Sequence, residues 1–231
     1  MRVLAIDTAL EACSAAVLDT AGSGALTSES LPMARGHAEA LMPLVARVMA
    51  QAGGAFSSLD RIAVTCGPGS FTGLRVGIAA ARGIALAADR PACGLTTLAA
   101  FAAPLIADDD RVPVAVAIDA RHRHVYLQVF GPGGRSLVSP RIVSLSDAVR
   151  ETMAVIADGA VRIAGNAAGM LAAEWPAGAP RPVQMQQASA PDIAWVARLG
   201  AAAVGGHGSP RPLYLRAPDA QPQDAARLPR R

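Results

Sequence analysis

Two short apolar runs, residues 3–6 and 114–118, each end in an aspartate, Asp7 and Asp119. A polar turn follows each one, and then a second apolar run, residues 13–18 and 125–130. A brief continuous apolar run reads as a buried strand. The same strand–Asp–turn–strand pattern recurring about half a chain later predicts a duplicated α/β unit. Residues 26–31 extend the first copy to a three-strand meander.

The rest of the pattern alternates strands with helices. Residues 36–51 carry an apolar stripe at Leu41, Leu44, Val45 and Val48, spaced for one face of a helix that ends at Gly53-Gly54. Residues 62–65 read as a buried strand. Gly67-Pro68-Gly69-Ser70 is a turn, and a helix follows over residues 71–88 with Ser70 as its N-cap. Gly73, Gly77 and Ala81 give that helix a smooth face at four-residue spacing, which lets another backbone approach. A short strand is expected at 92–95, helices at 97–107, 146–156, 167–174 and 192–204, and a strand at 161–164. Asp108-Asp109-Asp110 marks a boundary. Two lobes are therefore expected, residues 1–107 and 108–231, with a frayed tail after Tyr214.

Composition narrows the chemistry. Apolar residues make up 52% of 231, enough for a sizeable core. All 21 basic residues are Arg, which excludes a P-loop lysine, a Schiff-base lysine and a kinase strand lysine. The net charge of +3 permits RNA contact without demonstrating it. Cys13, Cys66 and Cys93 stand apart, so buried reduced thiols and a cytoplasmic setting are expected. Asp7 interrupts the N-terminal apolar run too early for a signal peptide. The apolar stretch 78–88 is broken by Arg82 and falls short of the roughly 20 residues a membrane span needs.

Several residues invite a chemical reading. The backbone of Gly67, Gly69 and Ser70 at a helix start can hold an anion, or can simply close a turn. The spacing is not the dinucleotide GxGxxG. Asp7 and Asp119 lie where α/β proteins place ligands and could hold magnesium beside phosphates through water; alternatively each caps its own turn. Arg75 and Arg121 suit phosphate through the planar guanidinium fork, or a salt bridge. His122 and His124 share a strand face if the strand reaches them, which fits zinc only with a third ligand, or a solvated turn. His37 starts a helix as a cap or interface residue. His207 lies among glycines and carries no signal. No nucleophile with a partnered base is marked.

Residues 64–77, Val-Thr-Cys-Gly-Pro-Gly-Ser-Phe-Thr-Gly-Leu-Arg-Val-Gly, resemble the signature of the TsaB (YeaZ) family. Further stretches are similar to that family in the same order. These are Ala-Ile-Asp-Thr-Ala at 5–9, His-Ala-Glu-Ala-Leu-Met-Pro at 37–43, Ile-Asp-Ala-Arg at 118–121 with Val125-Tyr126, and Pro-Leu-Tyr-Leu-Arg at 212–216. The resemblance implies an α/β, actin-like or sugar-kinase-like (ASKHA) duplicated fold of two small lobes with mixed sheets.

The resemblance also implies a role in making threonylcarbamoyladenosine in tRNAs that read codons starting with A. A TsaD-like subunit carries the chemistry and pairs through the two N-terminal helices, and a TsaE-like ATPase joins them. Thr97 and Phe101 stand where TsaD-type relatives carry two metal-binding histidines, and neither replaces imidazole. The chain is thus expected to be non-catalytic, to bind no metal or cofactor alone, and to meet ATP or ADP, Mg²⁺ and tRNA only through the complex. The expected partner face comprises His37, Leu41, Leu44, Val45, Val48, Leu74, Arg75 and Ile78. The alternatives are a nucleotide-dependent phosphotransferase of the same superfamily and an inactive peptidase-like homodimer.

Overall fold

A computed structural model describes residues 1–21, 24–156, 159–204 and 209–216. Two five-stranded sheets are built by the same order of elements, repeated. The first copy runs β1 (Arg2–Asp7), β2 (Ala12–Asp19), β3 (Leu26–Pro32), α1 (His37–Gln51), β4 (Arg61–Thr65), α2 (Phe71–Ala88), β5 (Ala92–Leu95) and α3 (Thr97–Asp108). The second runs β6 (Val114–Asp119), β7 (His124–Phe130), β8 (Ser136–Ser144), α4 (Leu145–Val155), β9 (Arg162–Ala164), α5 (Ala168–Ala173), β10 (Gln184–Gln186) and α6 (Ile193–Ala202).

The sheet orders are β3-β2-β1-β4-β5 and β10-β9-β6-β7-β8, the same arrangement twice. In each, the first three strands form an antiparallel meander and the last two lie parallel to the first. This is the duplicated α/β unit expected from the sequence, two lobes with mixed sheets. Its buried strands read as continuous apolar runs because helices cover both faces: β1, β2 and β6 are buried along nearly their whole length.

The expected strands and helices are present with ends shifted by a residue or two, and two strands are additional. β8 contains Pro140, which argues against a strand in sequence. It lies at the sheet edge, where a missing N–H is tolerated. β10 is three residues long and mostly exposed, too short for a period to show. The lobes also interlock. α6 belongs to the second half of the sequence but packs on β1, β2 and β4 of the first sheet, while α3 packs on β6. Buried Arg162 on β9 fixes the carboxyl end of α3, donating to the carbonyls of Leu105 at 2.6 Å and Val112 at 2.9 Å and to that of Asp109. The tail beyond Arg216 and His207 lie outside the described residues.

α2 is long and apolar enough to cross a membrane by those criteria alone. Its inner face, Gly73, Leu74, Gly77, Ile78, Ala81, Ile84 and Ala85, is buried in the first lobe, as a core helix requires. The glycines on that face meet the β1–β2 turn. A methyl group at Gly73 would collide with the carbonyl oxygen of Thr8, and one at Gly69 with that of Ala9. The contact is bonded as well as close: Thr8 Oγ1 donates to the Gly73 carbonyl at 2.7 Å and the Ser70 N–H to the Ala9 carbonyl at 2.7 Å. The smooth face anticipated for a partner therefore receives the chain's own turn.

Asp7 is fully buried at the end of β1. Its Oδ1 accepts from the Ala9 N–H at 3.1 Å and from the Thr65 hydroxyl, while Oδ2 has no partner among the described residues. Burial raises its pKa, opposed in turn by Thr65, Ala9 and His37. The native state therefore favours the neutral acid. The stability that this preference contributes is complete below the ordinary carboxylate value and is lost as pH rises through the raised native value.

Three outcomes are expected. Asp7→Asn keeps the Oδ1 acceptor and cannot ionise, so denaturant unfolding from about pH 4 to pH 8 should show it gaining on the parent as pH rises. Gly83 on the outer face of α2 has open space where a Cβ would go. Gly83→Ala should raise unfolding free energy by about 0.5–1 kcal/mol. Gly73→Ala should lower the melting temperature by several degrees, because the obstructing atom is backbone.

Candidate partner face and the turns between the lobes

Seven of the eight residues expected on the partner face are buried inside the chain. Leu41, Leu44, Val45 and Val48 point inward with Leu74 and Ile78 into one core shared with Leu4, Ile6 and Ile62. His37 is also buried, its Nε2 3.0 Å from the Leu10 carbonyl, and it ties the start of α1 to the β1–β2 turn. These residues hold the helices on the sheet and are unavailable to a second protein, which corrects the sequence expectation. A 3.6-residue apolar stripe marks the side facing the largest apolar surface, and here that is the chain's own sheet.

Arg75 alone of the eight stays exposed. Its guanidinium carbon sits 3.7 Å from the centroid of the Phe71 ring, and Nε donates to the Tyr214 hydroxyl at 3.1 Å. The face that α1 and α2 turn outward carries a strip of small residues beside Pro43, Arg47, Arg82 and Leu86. Ala46 and Ala50 on α1, and Ala79, Gly83 and Ala87 on α2, are exposed. Between the helices runs a groove of about 470 Å³ lined by Met42, Phe56, Ala80, Gly83, Ile84 and Ala87. Met42 is 48% exposed, a large apolar side chain left at the edge of an apolar groove.

The Gly67–Ser70 turn is closed by its own chain. The Ser70 N–H bonds Ala9, the Gly73 N–H is capped by Ser70 Oγ at 3.3 Å, and the Gly67 carbonyl accepts from the Thr97 N–H at 2.8 Å. Gly67 and Pro68 are buried and Gly69 packs on Ala9. Two of the donors an anion would use are already engaged, so the turn acts as a fastening between β4, α2 and α3. This corrects the phosphate reading of Gly67, Gly69 and Ser70. Asp7, buried beneath the same turn, presents no carboxylate to a ligand, and the phosphotransferase reading loses its first acidic group.

Asp119 makes the same local bond as Asp7, accepting the N–H two residues on, from Arg121, at 2.8 Å. Unlike Asp7 it is exposed, as are Arg121, His122 and His124. Thr97 and Phe101 are buried at the start of α3, and Phe101 packs in the inter-lobe core with Leu98 and Ile118. A hydroxyl and a phenyl ring do not fit the metal that TsaD-type histidines would hold. Among the described residues no three His, Cys, Asp or Glu side chains are grouped to hold a metal. Burial pushes the Cys13 and Cys66 thiols up to about 11, and Cys93 upward as well, so none is a ready nucleophile at neutral pH.

A segment that carried no structural signal in sequence completes the arrangement. Residues 210–216 cross back from α6 over the Gly67–Ser70 turn, with the Leu213 N–H donating to the Cys66 carbonyl at 2.7 Å. Tyr214 stacks on Phe71 with ring centroids 5.4 Å apart. Arg216 Nη1 then donates to the Ala120 carbonyl of the second lobe at 2.9 Å. The strap thus touches both turns.

The profile of the TsaD family, described as tRNA N6-adenosine threonylcarbamoyltransferase, matches residues 32–190. The tRNA threonylcarbamoyladenosine biosynthesis protein TsaB of Escherichia coli K12 is 38% identical over 126 residues, 54% of this chain and 53% of that protein. The Haemophilus influenzae protein of the same name is 36% identical over 126 residues, 54% of this chain and 52% of its own length. The chain thus spans about half the length of these curated relatives. The solved structure of YeaZ from Pseudomonas aeruginosa superposes with a TM-score of 0.76 at 32% identity, covering 93% of this chain and 99% of that one. With the repeated sheets, the closed Gly-Pro-Gly turn and this likeness along nearly the whole chain, the protein belongs to the TsaB (YeaZ) family.

Proposed function

We propose that the chain is the non-catalytic member of a pair that makes threonylcarbamoyladenosine in tRNAs reading codons that begin with A. Its partner is a TsaD-type transferase, a TsaE-type ATPase joins the pair, and the assembly works in the cytoplasm. ATP, ADP, Mg²⁺ and tRNA enter at the level of the assembly. The name of the Escherichia coli relative supports the pathway. The observation that carries the pairing is the outward strip of Ala46, Ala50, Ala79, Gly83 and Ala87 beside the Met42–Phe56 groove.

Small residues spaced along two adjacent helices let another pair of helices approach closely, and the groove accepts a larger apolar side chain. The absence of imidazole at Thr97 and Phe101 supports leaving the chemistry to the partner. Docking then buries apolar area that the isolated chain exposes, and a self-paired homodimer would use the same face.

The test separates folding from docking. Gly83→Arg and Ala87→Glu change exposed positions, so each should fold as the parent does, Gly83→Arg melting slightly higher for the same reason as Gly83→Ala, yet stop co-elution with a TsaD-type transferase on gel filtration. Val45→Glu buries an unpaired charge and should cost several kcal/mol of stability, so that it fails to fold rather than failing to dock. In cells lacking the subunit, the parent chain should restore threonylcarbamoyladenosine by nucleoside chromatography and the Gly83→Arg variant should not. Co-elution of both surface variants at parent affinity would remove the face from the pairing.

A further inference from the structure

The outward face of α2 carries more than small residues. Thr72, Arg75, Ala79, Arg82 and Leu86 follow one another at spacings of three, four, three and four, and all five are exposed. That spacing is the seam of a helix that lies along another helix. Leu86 is 85% exposed, and with Arg82, Pro91 and Ala92 it lines a cavity of about 510 Å³. Gly83 lies on this cavity and on the Met42–Phe56 groove, so the two form one surface across α2.

The charges on this surface are answered unevenly. Glu29 holds Arg47 of α1 through bonds of 3.0 and 2.6 Å, and the Ser57 carbonyl accepts from Arg90 at 3.3 Å. Arg75 and Arg82 have no ion-pair partner among the described residues. Arg75 is nonetheless held in place, flat on the Phe71 ring with Nε on the Tyr214 hydroxyl. It stands near the positive end of the α2 dipole, and the first turn has no acidic residue to offset it. The two cations are seven residues apart, about 10 Å along the helix axis.

We propose that the seam selects an acidic helix: the segment of the TsaD-type transferase that docks on α2 presents two carboxylates one heptad apart, one to Arg75 and one to Arg82, with small residues between them. This selection rests on the pairing proposed above. The guanidinium fork suits a carboxylate, and charges at the rim of a contact set the encounter rate and reject wrong partners. A second copy of the chain is such a wrong partner. α2 contains no acidic residue, so self-pairing along the seam sets guanidiniums of two copies together with no carboxylate of either helix between them.

The test measures affinity and association rate of the full chain with the TsaD-type transferase at low and high salt. Parent binding should weaken as salt rises. Arg82 makes no bond within the chain, so Arg82→Gln and Arg82→Glu should melt close to the parent. At low salt Arg82→Glu should bind roughly tenfold more weakly, with Arg82→Gln between it and the parent, and the loss should appear in the association rate. Combining Arg82→Gln with Arg75→Gln should remove most of the salt dependence. Loss of binding by Gly83→Arg with parent-like binding by Arg82→Glu would keep the pairing and overturn the charge selection. Parent-like binding by both would remove the pairing and the selection with it. Self-association of the isolated chain, read by light scattering, should rise with salt and in Arg82→Gln. A parent dimer that tightens as salt falls would assign the arginines to a second copy and overturn the proposal.

Discussion

The contact between the glycine face of α2 and the β1–β2 turn governs the first lobe. Backbone meets backbone there with no space for a methyl group, and the hydrogen bonds run both ways across it. Because the helix lies so close, Asp7 is sealed from water and its ionised form is disfavoured. Because Gly73 and Gly77 face inward, the outer side of the helix falls to Ala79, Gly83 and Ala87 together with Arg75, Arg82 and Leu86. One close approach thus accounts for the buried acid, the closed turn and the composition of the exposed strip.

Most of the architecture was legible because its signals are local. Buried strands announce themselves as apolar runs, and both α2 and β5 have the bounds their caps and turns suggested. β8 was hidden by Pro140, which only an edge position tolerates, and β10 was too short to show a period. The crossing of α6 back to the first sheet has no local signature, since a helix carries its apolar stripe whichever sheet it covers. The partner face was misread for a related reason. The strong stripe of Leu41, Leu44, Val45 and Val48 measures burial and cannot distinguish a core from an interface. The face left open mixes alanine and glycine with Pro43, Arg47, Arg82 and Leu86, and that mixture gives no apolar period to detect.

The Gly67–Ser70 turn shows how a specific motif can mislead on mechanism while identifying kinship. Its backbone N–H groups at a helix start could hold an anion or simply close a turn. In the fold its donors bond Ala9, Ser70 caps α2, and the strap bearing Leu213 covers Cys66. The residues are those needed to join three elements and the strap within a few ångströms. That demand would select glycine and proline without any ligand.

The two copies of the repeat have diverged in the element that decides whether the Asp turn is open. After β4 comes α2, 18 residues long, whose start presses on the first turn. After β9 comes α5, only six residues long. Asp7 and Asp119 make the same bond to the N–H two residues on, so the local geometry is retained in both copies. In the first the turn is sealed and its side chains, Thr8 and Ala9, are spent on packing. In the second the Asp119 N–H is held by Asn166 Oδ1 at 2.8 Å, and the tip stays in solvent with its arginines and histidines. The left-handed backbone at Arg121, His122 and Arg123 has no counterpart among the positive-φ residues of the first turn. Within this duplicated frame, the length of the covering helix decides which Asp turn is sealed and which stays in solvent.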